Sequence, residues 1–277
     1  MSGERLAGDM SYLSRRVLLS LWIVLLTVYG SPLTAQIQDN SFLVEEAYNQ
    51  EAGVVQHISN YARTGGDWAF SFTQEWPLGG IQHQLSYSIP FLNTEGRGTG
   101  IGDLAINYRY QLAGNPQAGV VAAPRLSLLL PTGSEAAGRG RGGAGVQVNA
   151  PLTLVLSGAV VTHWNAGATL TPSARNAAGD QATTYGFNLG GSVIWLARPR
   201  FNLLLESVWY EVGEVISEGR VDRASTWVLN PGMRAAFDFG DLQVVPGAAY
   251  SIGLGSGGND AEGLFLYLSF EHPFRGQ

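Results

Sequence analysis

The chain of 277 residues contains no cysteine, no lysine and few charges of either sign. Without cysteine it cannot form disulfides, thiolate metal sites, a lipid-modified cysteine anchor or a cysteine nucleophile. Charged residues make up 14% of the chain, against roughly 25% in soluble proteins. All 16 basic residues are arginine, the formal net charge is -6, and no basic patch suited to nucleic acid is present. The composition therefore argues against a water-soluble domain and against a nucleic-acid partner.

The first 35 residues have the pattern of a secretory signal. Arg15 and Arg16 precede an apolar run over 17–29, and turn-forming or small residues follow up to Ala35. This order of charged, apolar and cleavage regions is typical of signal peptides. The run is shorter than the ~20 residues that a membrane-spanning helix needs. We predict a signal peptide over 1–35 that is cleaved after Ala35, with an uncleaved anchor as the alternative.

Beyond residue 35 the recurring pattern is alternation with a period of two, and no apolar run is long enough for a spanning helix. Between 101 and 112, apolar or aromatic residues occupy most even positions, while Asp, Asn, Arg and Gln occupy odd ones. Such alternation predicts a strand with one apolar and one polar face. Twelve segments are predicted as strands: 54–62, 67–76, 81–91, 101–112, 119–131, 144–150, 152–165, 184–196, 201–212, 225–238, 241–252 and 263–272.

Most of these segments are long enough to cross an outer membrane when tilted. They predict an all-β fold, a closed antiparallel transmembrane β-barrel of about 12 strands over 54–277. The alternative is a soluble β-sandwich with buried aromatics, which would normally carry more charge on its outer faces.

The connections alternate in length, as they do in bacterial barrels with short periplasmic turns and longer external loops. The longer connections are predicted at 63–66, 92–99, 132–143, 166–183, 213–224 and 253–262, and the shorter ones at 77–79, 113–118, 149–151, 197–200 and 239–240. This order predicts that both termini are periplasmic.

Two glycine-rich stretches, 138–143 and 253–258, lack the Lys-Ser/Thr ending of a phosphate loop. We predict that both are mobile external loops. Arg139 and Arg141 in the first are candidates for contact with lipopolysaccharide phosphates, and solvated loop charge is the alternative.

The segment 36–53 precedes the first strand and mixes apolar with acidic residues. Two interpretations stay open, a periplasmic arm and a plug that folds into the lumen.

Several short stretches resemble a known family. They are residues 41–50, 53–57, Gly100-Ile101-Gly102-Asp103-Leu104 and Asn107-Tyr108-Arg109-Tyr110. Together they resemble outer-membrane proteins labelled with the meta pathway of phenol degradation, which are described as transporter-like barrels. The resemblance covers most of the chain after residue 35 and is strongest over 41–131. It implies a barrel, and it adds aromatic or otherwise hydrophobic compounds as candidate solutes.

A barrel of this size has a narrow lumen, so its inward side chains decide what passes. The parity of the predicted strands turns both acids and bases inward. The lumen-lining candidates are Asp103, Asn107, Arg109, Arg125, His163, Glu206, Arg234 and Asp238, together with Gln82, Gln84 and Glu271. These residues could form a selectivity lining or a salt-bridged interior that stabilises the wall, and acid–base pairing is expected in either case.

We predict an outer-membrane channel for passive passage of a small solute, without a cofactor or a metal. The alternative is a structural or surface-interaction barrel with a plugged lumen. Catalysis is not predicted, because His57 and Ser59 share a strand face but lack the rest of a catalytic arrangement. Expected partners are outer-membrane lipid, lipopolysaccharide and the barrel-assembly machinery, the last because aromatic Phe274 lies near the end of the chain.

Overall fold

The computed structural model describes residues 41–114, 119–254 and 261–274. The predicted signal peptide, its cleavage site and residues 36–40 lie outside these described residues. Within them, no helix is both long enough and apolar enough to cross a membrane.

The described residues form twelve strands. Eight are continuous: β1 (Val54–Thr64), β2 (Asp67–Pro77), β3 (His83–Thr94), β7 (Val160–Arg175), β8 (Gln181–Arg198), β9 (Phe201–Ser217), β11 (Leu242–Leu254) and β12 (Gly263–Pro273). Four are interrupted: β4 (Gly98–Ile101 and Leu104–Tyr110), β5 (Val120–Ala122 and Arg125–Leu130), β6 (Gly145–Asn149 and Leu152–Ser157) and β10 (Arg220–Ala235 and Phe237–Phe239).

Each strand pairs antiparallel with its neighbours in sequence, and the last strand pairs with the first. The closing ladder between β1 and β12 runs from Val54 opposite Pro273 to Arg63 opposite Leu264. Closure leaves no sheet edge, so every strand has a partner on both sides. The predicted closed antiparallel barrel of about twelve strands is confirmed.

The two faces of the barrel wall differ in chemistry. On β4, Ile106 and Tyr108 are 41% and 39% exposed, whereas Asn107 and Arg109 are 5% and 2% exposed. Large apolar residues are exposed in the same way on the other strands, among them Leu128, Val148, Leu189, Trp195 and Leu266. An apolar outer face with a polar inner face is typical of a transmembrane barrel.

One predicted strand boundary is wrong. The segment 149–151 is not a turn between two strands, because Pro151 only interrupts β6. Both halves of β6 pair with the uninterrupted β7, Asn149 opposite Gly167 and Leu152 opposite Trp164. Proline has no N–H to donate to a ladder, so it breaks the pairing locally without reversing the chain. The actual turn lies at Gly158 and Ala159, between β6 and β7.

Three of the predicted long loops are also wrong. Of 92–99, only 95–97 lie outside strands, because β3 ends at Thr94 and β4 begins at Gly98. The segments 166–183 and 213–224 are mostly strand, because β7 continues to Arg175, β8 begins at Gln181, β9 reaches Ser217 and β10 begins at Arg220. Residues 166–175 are mainly small or polar, so the apolar alternation fades there while the backbone ladder continues. The connection over 131–144 contains no strand.

Candidate functional site

The structure places the predicted lumen residues at different depths. Asn107, Arg109, His163, Glu206 and Arg234 are buried inside the barrel. Arg125 is half-buried and contacts the same interior network as Asn107.

Two predicted residues lie nearer the ends of the barrel. Asp238 pairs with Arg200 at 2.9 Å, close to the turns that begin β9 and β11. Asp103 lies in the interruption of β4 and bonds to the loop over 131–144. The inward prediction for Gln82 is wrong, because Gln82 is exposed in the turn before β3 and donates to the Tyr110 hydroxyl.

Residues 41–50, here called the inner segment, lie among the inward side chains of the wall. The backbone N–H groups of Phe42, Leu43 and Val44 all donate to Oε1 of Glu206 on β9, at 2.9, 2.7 and 3.0 Å. The other carboxylate oxygen of Glu206 accepts from the Asn230 amide at 2.7 Å. Glu206 is therefore a buried carboxylate satisfied by four N–H groups, three of them from the inner segment.

The rest of the inner segment is held in the same manner by other strands. Its backbone donors reach side-chain oxygens of the wall: Glu45 to Asn165 on β7, Ala47 to Thr153 on β6, Asn49 to Gln111 after β4, and Gln50 to Gln84 on β3. Strands β9 and β3 are six apart in a ring of twelve. The inner segment consequently crosses the lumen from one wall to the opposite wall.

Arg109 is the centre of a buried charge cluster. Its guanidinium lies 3.2 Å from Glu45, 3.4 Å from Glu46 and 3.5 Å from Glu75, and Nε donates to the Asn49 side chain at 2.9 Å. Arg125 contacts Glu45 at 2.9 Å. Three carboxylates thus meet two guanidinium groups, so the cluster holds one carboxylate in excess if all are ionised.

The two acidic side chains of the inner segment respond differently to this environment. Burial works to raise the pKa of Glu45, but Arg125 and Arg109 hold it below its usual value. Burial, together with the nearby Glu75 and Glu45 carboxylates, raises the pKa of Glu46 to about 7. Arg109 lowers this pKa but does not cancel those effects. Glu46 is therefore the group that relieves the excess charge by taking up a proton.

A cavity of about 430 Å³ lies beside the inner segment, with Leu43 and Glu45 among its lining residues. Its wall includes Arg125 and, nearer the strand ends on the side of the 131–144 loop, Thr171, Thr184 and Gly213. A second cavity of about 210 Å³ shares Leu43, Glu45 and Arg125 with the first. The interior space beside the inner segment is therefore a polar chamber that extends toward the end of the barrel that carries the 131–144 loop.

The glycine-rich loop over 131–144 is tied to the wall beside this chamber. Asp103 accepts the backbone N–H groups of Gly133 at 3.0 Å and Arg141 at 2.7 Å. The Arg141 guanidinium then donates to the Gly213 carbonyl of β9 at 2.9 Å. The segment 138–143, predicted as a mobile external loop, lies in a connection between strands and is hydrogen-bonded to the wall through Arg141. Most of 253–258 lies outside the described residues.

His57 and Ser59 lie on the outer face of β1, because the intervening Ile58 lines the smaller cavity. His57 bonds to His272 at 3.2 Å and stacks on Phe270 with ring centroids 4.6 Å apart. Within the ranges that the structure describes, no group of three or more metal-binding side chains is assembled.

The sequence analysis missed the inner-segment and wall residues that complete this network, chiefly Glu45, Glu46, Glu75, Thr153 and Asn165. Glu75 and Asn165 lie at inward strand positions, so strand parity could have identified them. Glu45 and Glu46 precede the first strand, and no periodic pattern indicates where they point.

The barrel resembles solved structures of outer-membrane proteins at low sequence identity. An outer membrane channel from Pseudomonas putida F1 has a TM-score of 0.57 and 15% identity, covering 82% of this chain and 97% of that one. The NanC porin has a TM-score of 0.50 and 10% identity, covering 79% and 98%. No curated protein matches the sequence.

These likenesses support the fold and, with the apolar outer face, place the chain in the outer membrane. A family model described as "Putative MetA-pathway of phenol degradation" matches residues 36–258. That span covers most of the chain and includes the inner segment and the eleven strands β1 to β11 in full. The chain therefore belongs to this family of outer-membrane β-barrels, as the motifs around Asp103 and Arg109 predicted.

Proposed function

We propose that the barrel is a channel for passive passage of a small solute across the outer membrane, and that the inner segment is its plug. The observation that carries the proposal is the polar chamber of about 430 Å³ that ends on the inner segment. A barrel serving only as an anchor has no need of such a chamber, whereas a channel needs a polar path through its lumen.

The contacts of the inner segment suit a plug that can be displaced. Phe42 packs against Phe265 and Tyr267 with ring centroids 5.5 and 5.1 Å apart, which anchors one end by apolar contact. From Leu43 to Gln50 the backbone donates hydrogen bonds to wall side chains, and Ala47 and Tyr48 also pack against Val121 and Ala123 of β5 and its interruption. A hydrogen bond to a neutral side chain contributes only about 0.5–1.5 kcal/mol net, because water can replace it, and one to a carboxylate such as Glu206 contributes about 1.5–3 kcal/mol.

The comparisons support the same proposal. The two similar structures are described as a porin and as an outer membrane channel. The description of the family adds aromatic or otherwise hydrophobic compounds as candidate solutes. Passage down a gradient needs no cofactor or energy source.

Planar-bilayer recordings test the channel directly. The wild-type protein should show discrete conductance steps. Glu206→Gln should raise the conductance or the open probability, because an amide oxygen binds the three N–H groups of Phe42, Leu43 and Val44 more weakly than a carboxylate does. Glu214→Gln is the matched control, since Glu214 is exposed on the same strand. A barrel that stays silent in both the wild type and Glu206→Gln would contradict the channel.

The second candidate, a structural or surface-interaction barrel with a permanently plugged lumen, is favoured by the Arg109 cluster. Here Arg109→Gln and Asp103→Asn should lower the unfolding midpoint in detergent without altering solute flux. A change in flux at an unchanged midpoint would favour the channel instead.

A further inference from the structure

We propose that the larger cavity binds a small solute that carries one carboxylate on an apolar body, and that Arg141 recognises the carboxylate. This inference deepens the proposed function and rests on it for transport. The binding itself requires only that the barrel be folded.

Arg141 presents its guanidinium to the cavity from a fixed loop. The backbone N–H of Arg141 is bound by Asp103 at 2.7 Å, and one guanidinium nitrogen donates to the Gly213 carbonyl at 2.9 Å. A guanidinium has five N–H donors, so most of its capacity is left for a ligand. Across the part of the chain that the structure describes, no carboxylate lies within 4.0 Å of this group.

Each of the other charged side chains that line the cavity contacts an opposite charge. Arg125 donates to Glu45 at 2.9 Å, to Asn107 at 2.9 Å, to Gln147 at 3.0 Å and also to Ser127. Glu211 pairs with Arg223 at 3.4 Å. The charged lining residues are Glu45, Glu211, Arg125 and Arg141. Among these described residues Arg141 is the one without an opposite charge in contact, so its guanidinium is the part of the wall that attracts an anion.

The remaining wall selects the rest of the solute. Leu43, Leu129 and Val212 give it apolar surface, and Thr169, Thr171 and Thr184 place hydroxyl-bearing side chains along it. A volume of about 430 Å³ lies within the roughly 300–1,000 Å³ range of small-molecule sites.

A single uncompensated guanidinium matches one carboxylate, to which it can donate two parallel hydrogen bonds. A dianionic phosphate would need a second cation, and Arg125 is committed to Glu45. The site therefore fits an amphipathic monoanion.

Calorimetric titration of the folded full-length chain in detergent tests this site with three probes: benzoate, its uncharged analogue benzamide, and acetate, which lacks the apolar body. Benzoate should bind at least about tenfold more tightly than benzamide and than acetate. The charge pair that benzamide lacks and the apolar burial that acetate lacks each contribute a factor of about ten or more to the affinity.

The variant Arg141→Gln should weaken benzoate binding at least about tenfold and leave benzamide unchanged. Arg139→Gln is the matched control. Arg139 lies on the same loop, but its guanidinium donates to the Arg97 and Gly98 carbonyls, each at 3.1 Å, and does not line the cavity. Arg141→Lys, which keeps the charge without the planar fork, should bind benzoate with intermediate affinity.

Equal affinity for benzoate and benzamide in the wild type would overturn the proposal, as would equal losses in Arg141→Gln and Arg139→Gln. If Arg141→Gln does not fold, the affinities of the wild type and of Arg141→Lys for the three probes test the proposal instead. Benzoate binding by a barrel that conducts no current would uphold this binding site and contradict the channel. Conductance without selective benzoate binding would support the channel and contradict this binding site.

Discussion

Glu46 is the residue at which the interior is most sensitive to proton concentration. It faces Arg109 on β4 and Glu75 on β2, with Glu45 beside it on the inner segment. Burial raises its pKa from 4.5 to about 7. The docked inner segment therefore favours the neutral acid, so this contribution to docking is complete below pH 4.5 and is lost as the pH rises through 7.

We accordingly expect the conductance in planar bilayers to be lower at pH 5.5 than at pH 8.5. Glu46→Gln, which keeps the shape and fixes the side chain in a neutral state, should give the low conductance at both values. Glu214→Gln should retain the wild-type pH dependence. A pH dependence that survives in Glu46→Gln would assign the titration to another group of the cluster.

At the same scale, the sequence predicted which strand positions face inward more reliably than what those residues contact. Arg109 was identified from the alternation on one strand. Its partners Glu45 and Glu46 lie 64 and 63 positions away along the chain. A period-two pattern carries no information about contacts at such separations, because they depend on how the whole ring closes.

At the scale of the element, β8 allows the two faces of the wall to be compared at adjacent residues. Leu189 is 55% exposed on the outer face, and Asn188 lines the larger cavity. Both lie near the middle of the strand.

We expect Leu189→Arg to destabilise the barrel by about 2–4 kcal/mol, the cost of arginine on the lipid face at mid-membrane. Asn188→Arg should cost less, because that side chain meets a polar cavity. Urea unfolding of the two variants in lipid vesicles measures the difference. Equal losses would mean that the register of β8 is shifted by one residue.

Strands with strong alternation were predicted to within a few residues, as β2 and the second half of β4 illustrate. The boundary between β6 and β7 was predicted wrongly. Pro151 is a residue type common in turns, but here it lies within β6, and the neighbouring strand β7 continues past it. The part of β7 over 166–175 was missed because its residues are mainly small or polar, so the apolar alternation ends there although the pairing with β8 continues.

At the scale of the whole molecule, the strand number, the antiparallel order and the closure followed from counting segments of membrane-spanning length. The path of residues 41–50 could not be predicted from the sequence, because this segment has no periodicity and many of its hydrogen bonds are donated by its backbone.

A closed ladder of twelve strands should resist detergent until it is heated. We expect the unheated protein to migrate faster on gels containing dodecyl sulfate than the boiled protein does. The fold predicts this shift because every strand is paired on both sides, including β1 with β12. Identical migration before and after boiling would contradict a stably closed barrel.

The path of the inner segment also has a mechanical consequence. A cylindrical wall one strand thick resists stretching around its circumference, because its hydrogen bonds run in that direction, but it flattens easily into an ellipse. The inner segment fastens Glu206 on one side to Gln84 on the opposite side. It therefore works as a tie across the diameter, and the cross-section of the barrel is rounder and stiffer while the segment is docked than after it is released.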